Sequence, residues 1–211
     1  AEVDDSDDDG EYAASGAARG GGGADDDDDD DDGPSAFEAL DEDVADDHAY
    51  ASTPPQQVAL PVVRRMWAQY QRALADGVTV RAWQKRTDVL RAMIVGPEGT
   101  PYEGALFAFD LALPATYPAQ PPTVHYLTQG IGERLNPNLY ENGKVCLSLL
   151  GTWSGPRWDP SSSTILQLLV SIQGLILVDK PYYNEPGHEK QAGSAEGEQH
   201  AQRYNENTRL L

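Results

Sequence analysis

The sequence predicts an α+β domain, a four-stranded antiparallel meander sheet flanked by helices, that follows a disordered acidic tail. Three observations predict this arrangement. The acidic excess lies in the first quarter of the chain, apolar residues recur at helical spacing after Pro54 and Pro55, and short apolar runs separated by polar, Gly or Pro residues come next. We therefore assign residues 1–55 to the tail and residues 56–211 to the domain.

The tail is set apart by its charge. Residues 1–50 contain 21 Asp and Glu and one basic residue, Arg19, whereas the rest of the chain contains 14 acidic and 14 basic side chains. Few branched or aromatic side chains are present there, so burial cannot offset the ordering entropy of this segment. We expect a solvating tail, with attraction of basic partners as the alternative, and a domain that is stable without it.

Residues 61–127 predict the first helix and the sheet. Val63, Trp67, Tyr70 and Leu74 recur at the spacing of an amphipathic helix, which Asp76-Gly77 ends. The apolar runs that follow are short and punctuated, as in an antiparallel meander. The four strands are predicted at residues 78–83, 89–95, 106–113 and 123–127.

The second half of the domain begins with an irregular stretch, from Thr128 to Ser162, whose length of about 35 residues is unusual in a compact domain without a functional reason. Ser161 to Ser163 then offer an N-cap to an apolar segment, Ile165 to Val178, which predicts a buried helix that ends before Pro181. A further helix is predicted to begin after the region from Gly193 to Gly197.

Composition also limits the class of protein. No apolar run reaches the ~20 residues of a membrane span, and no secretory signal is visible. The single cysteine, Cys146, excludes an internal disulfide and a multi-cysteine zinc site. We expect a cytoplasmic or nuclear protein without cofactor or metal, with no nucleic-acid or membrane partner. Because the chain starts at Ala1 and ends at Leu210-Leu211, we also expect a fragment truncated at its C-terminal side.

Cys146 lies in the irregular stretch, where a cysteine is a stronger functional candidate than in a helix. A buried cysteine that only packs is the alternative. None of the histidines has a local signature that would pair it with the thiol as in a cysteine protease. A thiol with a pKa near ~8.5 still leaves a few per cent thiolate at neutral pH, which suffices for exchange with a thioester but suits amide hydrolysis poorly.

Several ordered motifs then give the chain a family resemblance. They are Gly99 to Gly104, Phe107, Tyr117 to Pro122, Asn136-Pro137-Asn138 eight residues before Cys146, and Trp158. In this order and spacing the chain resembles the ubiquitin-conjugating enzyme family. It is most similar to the large hybrid conjugating enzymes that also act as ligases, including their plant phosphate-response relatives, through residues 136–140, 145–150, 152–153, 158–163 and 181–187.

Two departures from the wider family affect the expected modifier. Most members have histidine where Asn136 stands, and many have aspartate where Ser148 stands, but Asn136 matches the hybrid subgroup. Ser148 and Tyr140 also occur in conjugating enzymes for the SUMO modifier, which leaves a SUMO-type enzyme as an alternative. An inactive modifier-binding module is a further alternative, although such variants lack the cysteine that this chain keeps.

The resemblance implies a mechanism. An activating enzyme would deliver ubiquitin to Cys146 as a thioester, and the lysine of a substrate protein would then attack it. Asn138 would donate its side-chain amide to the developing oxyanion, or would only hold its loop in place. Glu185 resembles the acidic residue that assists the incoming amine, with Asp179 as second candidate. The motif residues Asn136, Pro137, Tyr140, Ser148 and Trp158 would support this site.

The resemblance also implies partner surfaces. Arg64 and Arg65 match the position at which the family meets its activating enzyme, although a solvated helix face would explain them equally well. A ligase would dock on the family's two docking loops, which here contain Pro118, Pro121, Pro122, Pro160 and Ser161. Between Cys146 and Trp158 the chain is longer than in small relatives, and its glycines and proline indicate a surface excursion without an evident purpose.

Overall fold

The structure, a computed structural model, describes residues 35–128 and 133–210. Within these two ranges, five strands and three α-helices follow one another. They are β1 (Phe37–Leu40), α1 (Leu60–Ala73), β2 (Val78–Trp83), β3 (Arg86–Val95), β4 (Leu106–Ala112), β5 (Thr123–Leu127), α2 (Ile165–Ser171) and α3 (Ala195–Arg209). Short 3-10 turns lie at Ser148–Leu150, Pro181–Asn184 and His188–Gln191.

The sheet has the order β1-β2-β3-β4-β5. Strands β2 to β5 pair antiparallel with their sequence neighbours, which confirms the predicted meander. The predicted number of four strands is corrected to five, because β1 adds to the edge of β2 in parallel register, with Phe37 opposite Val80. Along β4, Phe109 and Leu111 are fully buried, so the sheet supplies much of the core.

Helix α1 follows its predicted pattern. Val63, Met66 and Tyr70 are buried on one face, and Pro61 occupies the first turn, where its missing amide leaves no hydrogen bond unmade. The helix ends at Ala73 rather than at Asp76, because Leu74 already has an extended backbone.

Helix α2 is shorter than predicted. Thr164, rather than the preceding serines, forms a capping box with Gln167: each side chain bonds to the backbone amide of the other. The α-helix ends at Ser171 and widens into a π-helical turn over Ile172–Ile176. In α3, the Ser194 hydroxyl accepts a hydrogen bond from the Gly197 amide, so this cap begins the helix at Ala195, within the Gly193 to Gly197 region rather than after it.

Residues 35–55, termed the strap, contradict part of the expected tail. Phe37 packs against Trp67 and Tyr70 of α1, with ring centroids 6.1 and 5.4 Å apart, and is 6% exposed. The described fold therefore already includes residues 35–55, which lie before the expected boundary at residue 55. The physical reason is that a few buried side chains and one strand suffice to order a segment that is acidic on average. The expectation for residues 1–34 lies outside the described residues.

The strap crosses the sheet and satisfies its buried polar groups. His48, which is buried, donates from Nε2 to the Leu90 carbonyl oxygen at 3.0 Å and accepts at Nδ1 from the Tyr50 amide at 3.2 Å. The Ala49 amide donates to the fully buried Asp110 carboxylate at 2.8 Å. Arg91 donates to both oxygens of the same carboxylate, at 2.7 and 3.0 Å.

The buried imidazole predicts a pH dependence of stability. Burial lowers the pKa of His48 below its ordinary value of 6.5, against the opposing effects of the Leu90 bond and Asp110. On acidification the unfolded chain therefore protonates His48 before the folded chain does. The contribution of His48 to the free energy of unfolding is thus present above pH ~6.5 and is lost as pH falls below that value. Urea unfolding at pH ~7.5 and ~5 should show a smaller loss of unfolding free energy in His48→Gln than in the parent. Equal losses of unfolding free energy in the variant and the parent would show that His48 does not cause the pH dependence.

Among the residues that the structure describes, no helix combines the length and apolar character needed to cross a membrane.

Candidate active site

The candidate site is built on a tight loop between Asn136 and Cys146. An isolated bridge joins Leu139 to Val145, and the Cys146 amide donates to the Asn138 carbonyl oxygen at 2.8 Å. The turn contains Gly143 at φ +82°, where a Cβ would lie 2.0 Å from the His125 ring. Glycine is therefore required at this turn, which returns the chain so that Asn138 and Cys146 lie side by side.

Asn136 fixes the start of this loop. Its side chain is fully buried, and its Nδ2 donates to the Tyr102 hydroxyl at 2.8 Å and to the Ile176 carbonyl oxygen at 2.7 Å. Its Oδ1 accepts from the Asn138 amide at 2.7 Å. Three bonds to three segments make Asn136 a structural residue, which is the role expected for this position, and the adjacent Pro137 is buried.

Asn138 contacts the cysteine directly. Its Nδ2 donates to the Cys146 carbonyl oxygen at 2.9 Å, and its Oδ1 has no hydrogen-bond partner within the described part of the chain. An amide nitrogen carries two donors, so one remains after the bond to Cys146. The geometry therefore supports loop anchoring and leaves a donor for a second role.

The Cys146 residue is 3% exposed. It lies at the base of a groove of about 610 Å³, which also includes Asn138 and Ser148. One wall contains Trp153 and Pro156, and the facing wall contains the residues Leu175, Tyr183, Asn184 and Pro186. A reacting group can reach the thiol from this groove.

Tyr140, Arg134 and Glu185 form a cluster beside Cys146. The Arg134 guanidinium lies 4.1 Å from the centre of the Tyr140 ring and pairs with the Glu185 carboxylate at 3.4 Å. Arg134 also donates to the Pro137 carbonyl oxygen. Partial burial, and next the neighbouring Cys146 thiol, raise the pKa of Tyr140. Glu185 is therefore joined to the site through Arg134.

Asp179 is less closely tied to the site than Glu185. It is exposed, and its carbonyl oxygen accepts from the Asn205 side chain of α3 at 2.7 Å. Neither carboxylate lines the groove of Cys146, but Glu185 lies between Asn184 and Pro186, which do. The cluster thus favours Glu185 of the two candidates.

No role at the site was predicted for three residues that support it, Thr152, Tyr102 and Arg134. The Thr152 hydroxyl accepts from the Leu147 amide at 2.9 Å and donates to the Val145 carbonyl oxygen at 2.8 Å, so it ties the backbone on both sides of Cys146. Tyr102 and Arg134 reach the loop from elsewhere in the chain. Their contacts depend on the fold, which sequence spacing does not encode.

The expected partner surfaces differ in exposure. Arg64, Arg65, Pro160 and Ser161 are exposed, whereas Pro118 and Pro121 are half-buried. Pro122 is buried, so it contributes packing rather than direct contact.

Trp158 joins the two expected docking loops. Its indole donates to the Pro118 carbonyl oxygen at 2.8 Å, and its ring lies 5.9 Å from that of Tyr117. Trp158 therefore packs the two loops together. Within the described ranges, no group of three or more His, Cys, Asp or Glu is arranged to hold a metal ion.

Comparison with known proteins identifies the family. The profile described as "Ubiquitin-conjugating enzyme" matches residues 63–211. Over 178 residues the chain is 52% identical to the probable ubiquitin-conjugating enzyme E2 25 of Arabidopsis thaliana, covering 81% of this chain and 29% of that protein. It is 58% identical over 148 residues to the probable ubiquitin-conjugating enzyme E2 23 of the same plant, covering 69% and 13%.

A human relative is similar over a smaller part. The chain is 46% identical over 139 residues to the dual E2 ubiquitin-conjugating enzyme/E3 ubiquitin-protein ligase BIRC6 of Homo sapiens, covering 64% of this chain and 3% of that protein. The chain thus spans less than a third of the length of each of these three proteins. The profile match extends over more than half of the chain and includes the loop of Asn138 and Cys146. The chain belongs to the ubiquitin-conjugating enzyme family.

Proposed function

We propose that this chain accepts ubiquitin from an activating enzyme as a thioester on Cys146 and transfers it to a lysine of a substrate protein. One observation carries the proposal: the sole thiol of the chain lies at the base of an open groove, bonded to Asn138 through two hydrogen bonds. Relatives named ubiquitin-conjugating enzymes support it.

The chemistry consists of two acyl transfers. The Cys146 thiolate attacks the thioester carbonyl carbon of the charged activating enzyme, a new carbon–sulfur bond forms, and the activating enzyme leaves as its thiolate. A neutral substrate amine then attacks the same carbon. The carbon–sulfur bond to Cys146 breaks, an amide forms, and the amine loses a proton to a base or to water.

Asn138 is proposed to act in the second step. Negative charge develops on the carbonyl oxygen as the amine attacks, and the free N–H of the Asn138 amide lies beside Cys146, where that oxygen forms. The bond to the Cys146 carbonyl holds the amide in place before the reaction, so no reorganisation is needed.

Glu185 is proposed to assist the amine. At a lysine pKa of ~10.4, only about one amine in a few thousand is neutral at pH 7, so the acceptor needs help with deprotonation. Glu185 pairs with Arg134, which covers the Tyr140 ring and donates to the Pro137 carbonyl oxygen, so its carboxylate is held next to the loop of Asn138 and Cys146.

This assignment predicts a pH-dependent defect. Glu185→Ala should slow discharge of the thioester to free lysine most at neutral pH, and the defect should shrink toward pH ~9–10 as free amine becomes abundant. Single-turnover discharge across this pH range measures it, with Asp179→Ala as the matched carboxylate control. A defect that is constant with pH would point to binding or loop geometry, and a larger defect in Asp179→Ala would reverse the assignment.

The partners follow from the reaction: ubiquitin, its activating enzyme and substrate proteins with acceptor lysines, with a separate ligase as the alternative to ligase activity of the chain itself. BIRC6 is named a dual conjugating enzyme and ligase, and its 46% identity supports transfer without a separate ligase here. We place the reaction in the cytoplasm or nucleus, where reducing conditions keep the Cys146 thiol free.

The test is a charging assay with purified activating enzymes. With ATP, the ubiquitin pathway should give an adduct that reducing agents remove, and the SUMO pathway should give little or none. Preferential charging with SUMO would favour the alternative modifier, and charging with neither would refute the conjugating activity.

A further inference from the structure

A second cavity, of about 620 Å³ and termed the side pocket, has no role in the function proposed above. It lies between the strap, which contributes Tyr50, strand β5, which contributes His125, and the turn at Gly143, which contributes Asn142 and Lys144. The side pocket and the groove of Cys146 share no lining residue. The side pocket is therefore a separate site built against the loop that carries the nucleophile.

The side pocket is basic although the protein is acidic. Lys144 and His125 line it, and none of the described Asp or Glu residues does so. The side-chain amides of Asn142 and Gln120 and the Tyr50 hydroxyl add uncharged donors. The chain has a formal net charge of −20, so the charge of the side pocket is opposite in sign to that of the chain as a whole. This lining suits an anionic group.

The charge of Lys144 is available for such a group. Among the described residues Lys144 makes no ion pair with a carboxylate, whereas Lys85 and Lys180 each make one. Its side chain is exposed, and its ammonium lies 5.4 Å from the centre of the Tyr140 ring. The acidic residue nearest to it in sequence, Glu141, is exposed and does not line the side pocket. An anion from outside the chain can therefore pair with Lys144.

The side pocket lies within a few residues' length of the nucleophile. An isolated bridge pairs Lys144 with His125 of β5, and Thr152, which also lines the pocket, bonds to the backbone on both sides of Cys146. Lys144 is two residues before Cys146, and an extended residue spans ~3.3–3.6 Å, so their Cα atoms are at most ~7 Å apart. A substrate segment of two or three residues covers this distance.

We propose that the side pocket binds an acidic side chain of the substrate protein close to the acceptor lysine, so that the chain favours lysines in acidic surroundings. The inference rests on the proposed function and names the substrate class. The substrate carboxylate accepts charge-assisted hydrogen bonds from the Lys144 ammonium and the His125 ring N–H. The bound segment then presents its lysine beside the thioester, which raises the transfer rate because the amine is already positioned. The transfer itself is unchanged: the amine forms the amide, and Cys146 leaves as its thiolate.

The experiment uses the full chain charged with ubiquitin and three N-acetylated peptides that each contain one lysine. The residues beside this lysine are Glu in the first peptide, Gln in the second and Arg in the third. Each single-turnover discharge rate is divided by the rate with the Gln peptide, which removes changes in general activity. The parent should favour the Glu peptide about three- to tenfold, the scale of a charge-assisted bond at a partly exposed site. Added salt should reduce this preference.

Charge-changing variants identify the group responsible. Lys144→Ala should remove most of the preference, and Lys144→Glu should reverse it, so that the Arg peptide becomes the favoured one. Lys190→Glu is the matched control, since Lys190 is exposed, carries the same charge and does not line the side pocket. This control should keep the order of the parent. A lysine that only stabilised its loop would not exchange the order of the Glu and Arg peptides.

The outcomes separate this inference from the function on which it rests. A parent that forms no adduct on Cys146 would overturn both. A parent that discharges equally to the three peptides would refute the side pocket alone, and so would an equal reversal in Lys190→Glu, which would indicate a general effect of net charge. If Lys144→Glu accelerated discharge to all three peptides alike, the occupant would be the chain's own acidic run, Asp25 to Asp32, and the inference would also fail.

Discussion

Removal of residues 1–55 should destabilise the domain strongly, whereas removal of residues 1–34 should change its melting temperature little. The strap contributes strand β1, the buried Phe37 and the buried His48, and its Ala49 amide satisfies the Asp110 carboxylate. Loss of a buried Phe alone typically costs about 3–5 kcal/mol. A domain of this size loses about 2–4 °C per kcal/mol, so the melting temperature should fall by roughly 6–20 °C.

Thermal unfolding of the two truncated chains beside the parent measures this effect. A Phe37→Ala variant of the full chain serves as the point-substitution counterpart and should reproduce a large part of the loss. If the chain that begins at residue 56 melted at the parent temperature, the strap would contribute no stability. The sequence-based expectation of a stable domain from residue 56 would then hold.

Asn138→Ala should leave charging of Cys146 nearly intact and slow discharge to lysine by about 10²- to 10³-fold. The lost N–H would have stabilised the charge that develops on the carbonyl oxygen, and loss of one such donor typically has this effect. Charging is spared because its nucleophile is a thiolate, which attacks the thioester readily without this donor. The carbonyl of Cys146 also loses its partner, which should cost about 1–3 kcal/mol of stability.

Pre-charged chains in single-turnover discharge separate the two effects. Asn142→Ala is the matched control, because Asn142 lies in the same loop and its exposed side chain accepts only from the Lys144 amide at 3.1 Å. Equal discharge by Asn138→Ala and the parent would restrict Asn138 to loop anchoring. Loss of charging together with discharge would indicate a collapsed loop.

The helices and the meander could be predicted because their signals are local. The spacing of Val63, Met66 and Tyr70 in α1 and the alternation in the strands report directly which face is buried. Strand β1 could not be predicted in this way. Phe37 and His48 are single buried residues in an acidic segment, and their partners lie far along the chain in α1 and β3. The average charge of the strap therefore does not predict which of its side chains are buried.

In the candidate site, too, local signals could be predicted and contacts between distant residues could not. The motif around Asn138 and Cys146 is contiguous, so the sequence alone places both residues in one loop. The contacts that hold this loop come from distant residues: Tyr102 bonds to Asn136 across 34 positions, and Ile176 bonds to Asn136 across 40. The groove wall that contains Trp153 could not be predicted from the sequence either, because only the fold brings Trp153 next to Pro186.

The most direct test of the central claim locates the adduct on the chain. Because Cys146 is the only cysteine, the parent incubated with ubiquitin, its activating enzyme and ATP should gain the mass of one ubiquitin, and a thiol reagent should remove it. Cys146→Ser should give either an ester that resists the thiol reagent or no adduct, since an oxygen ester exchanges poorly with thiols. Intact-mass spectrometry before and after reduction measures both. A thiol-sensitive ubiquitin adduct of the same yield on Cys146→Ser would contradict the account.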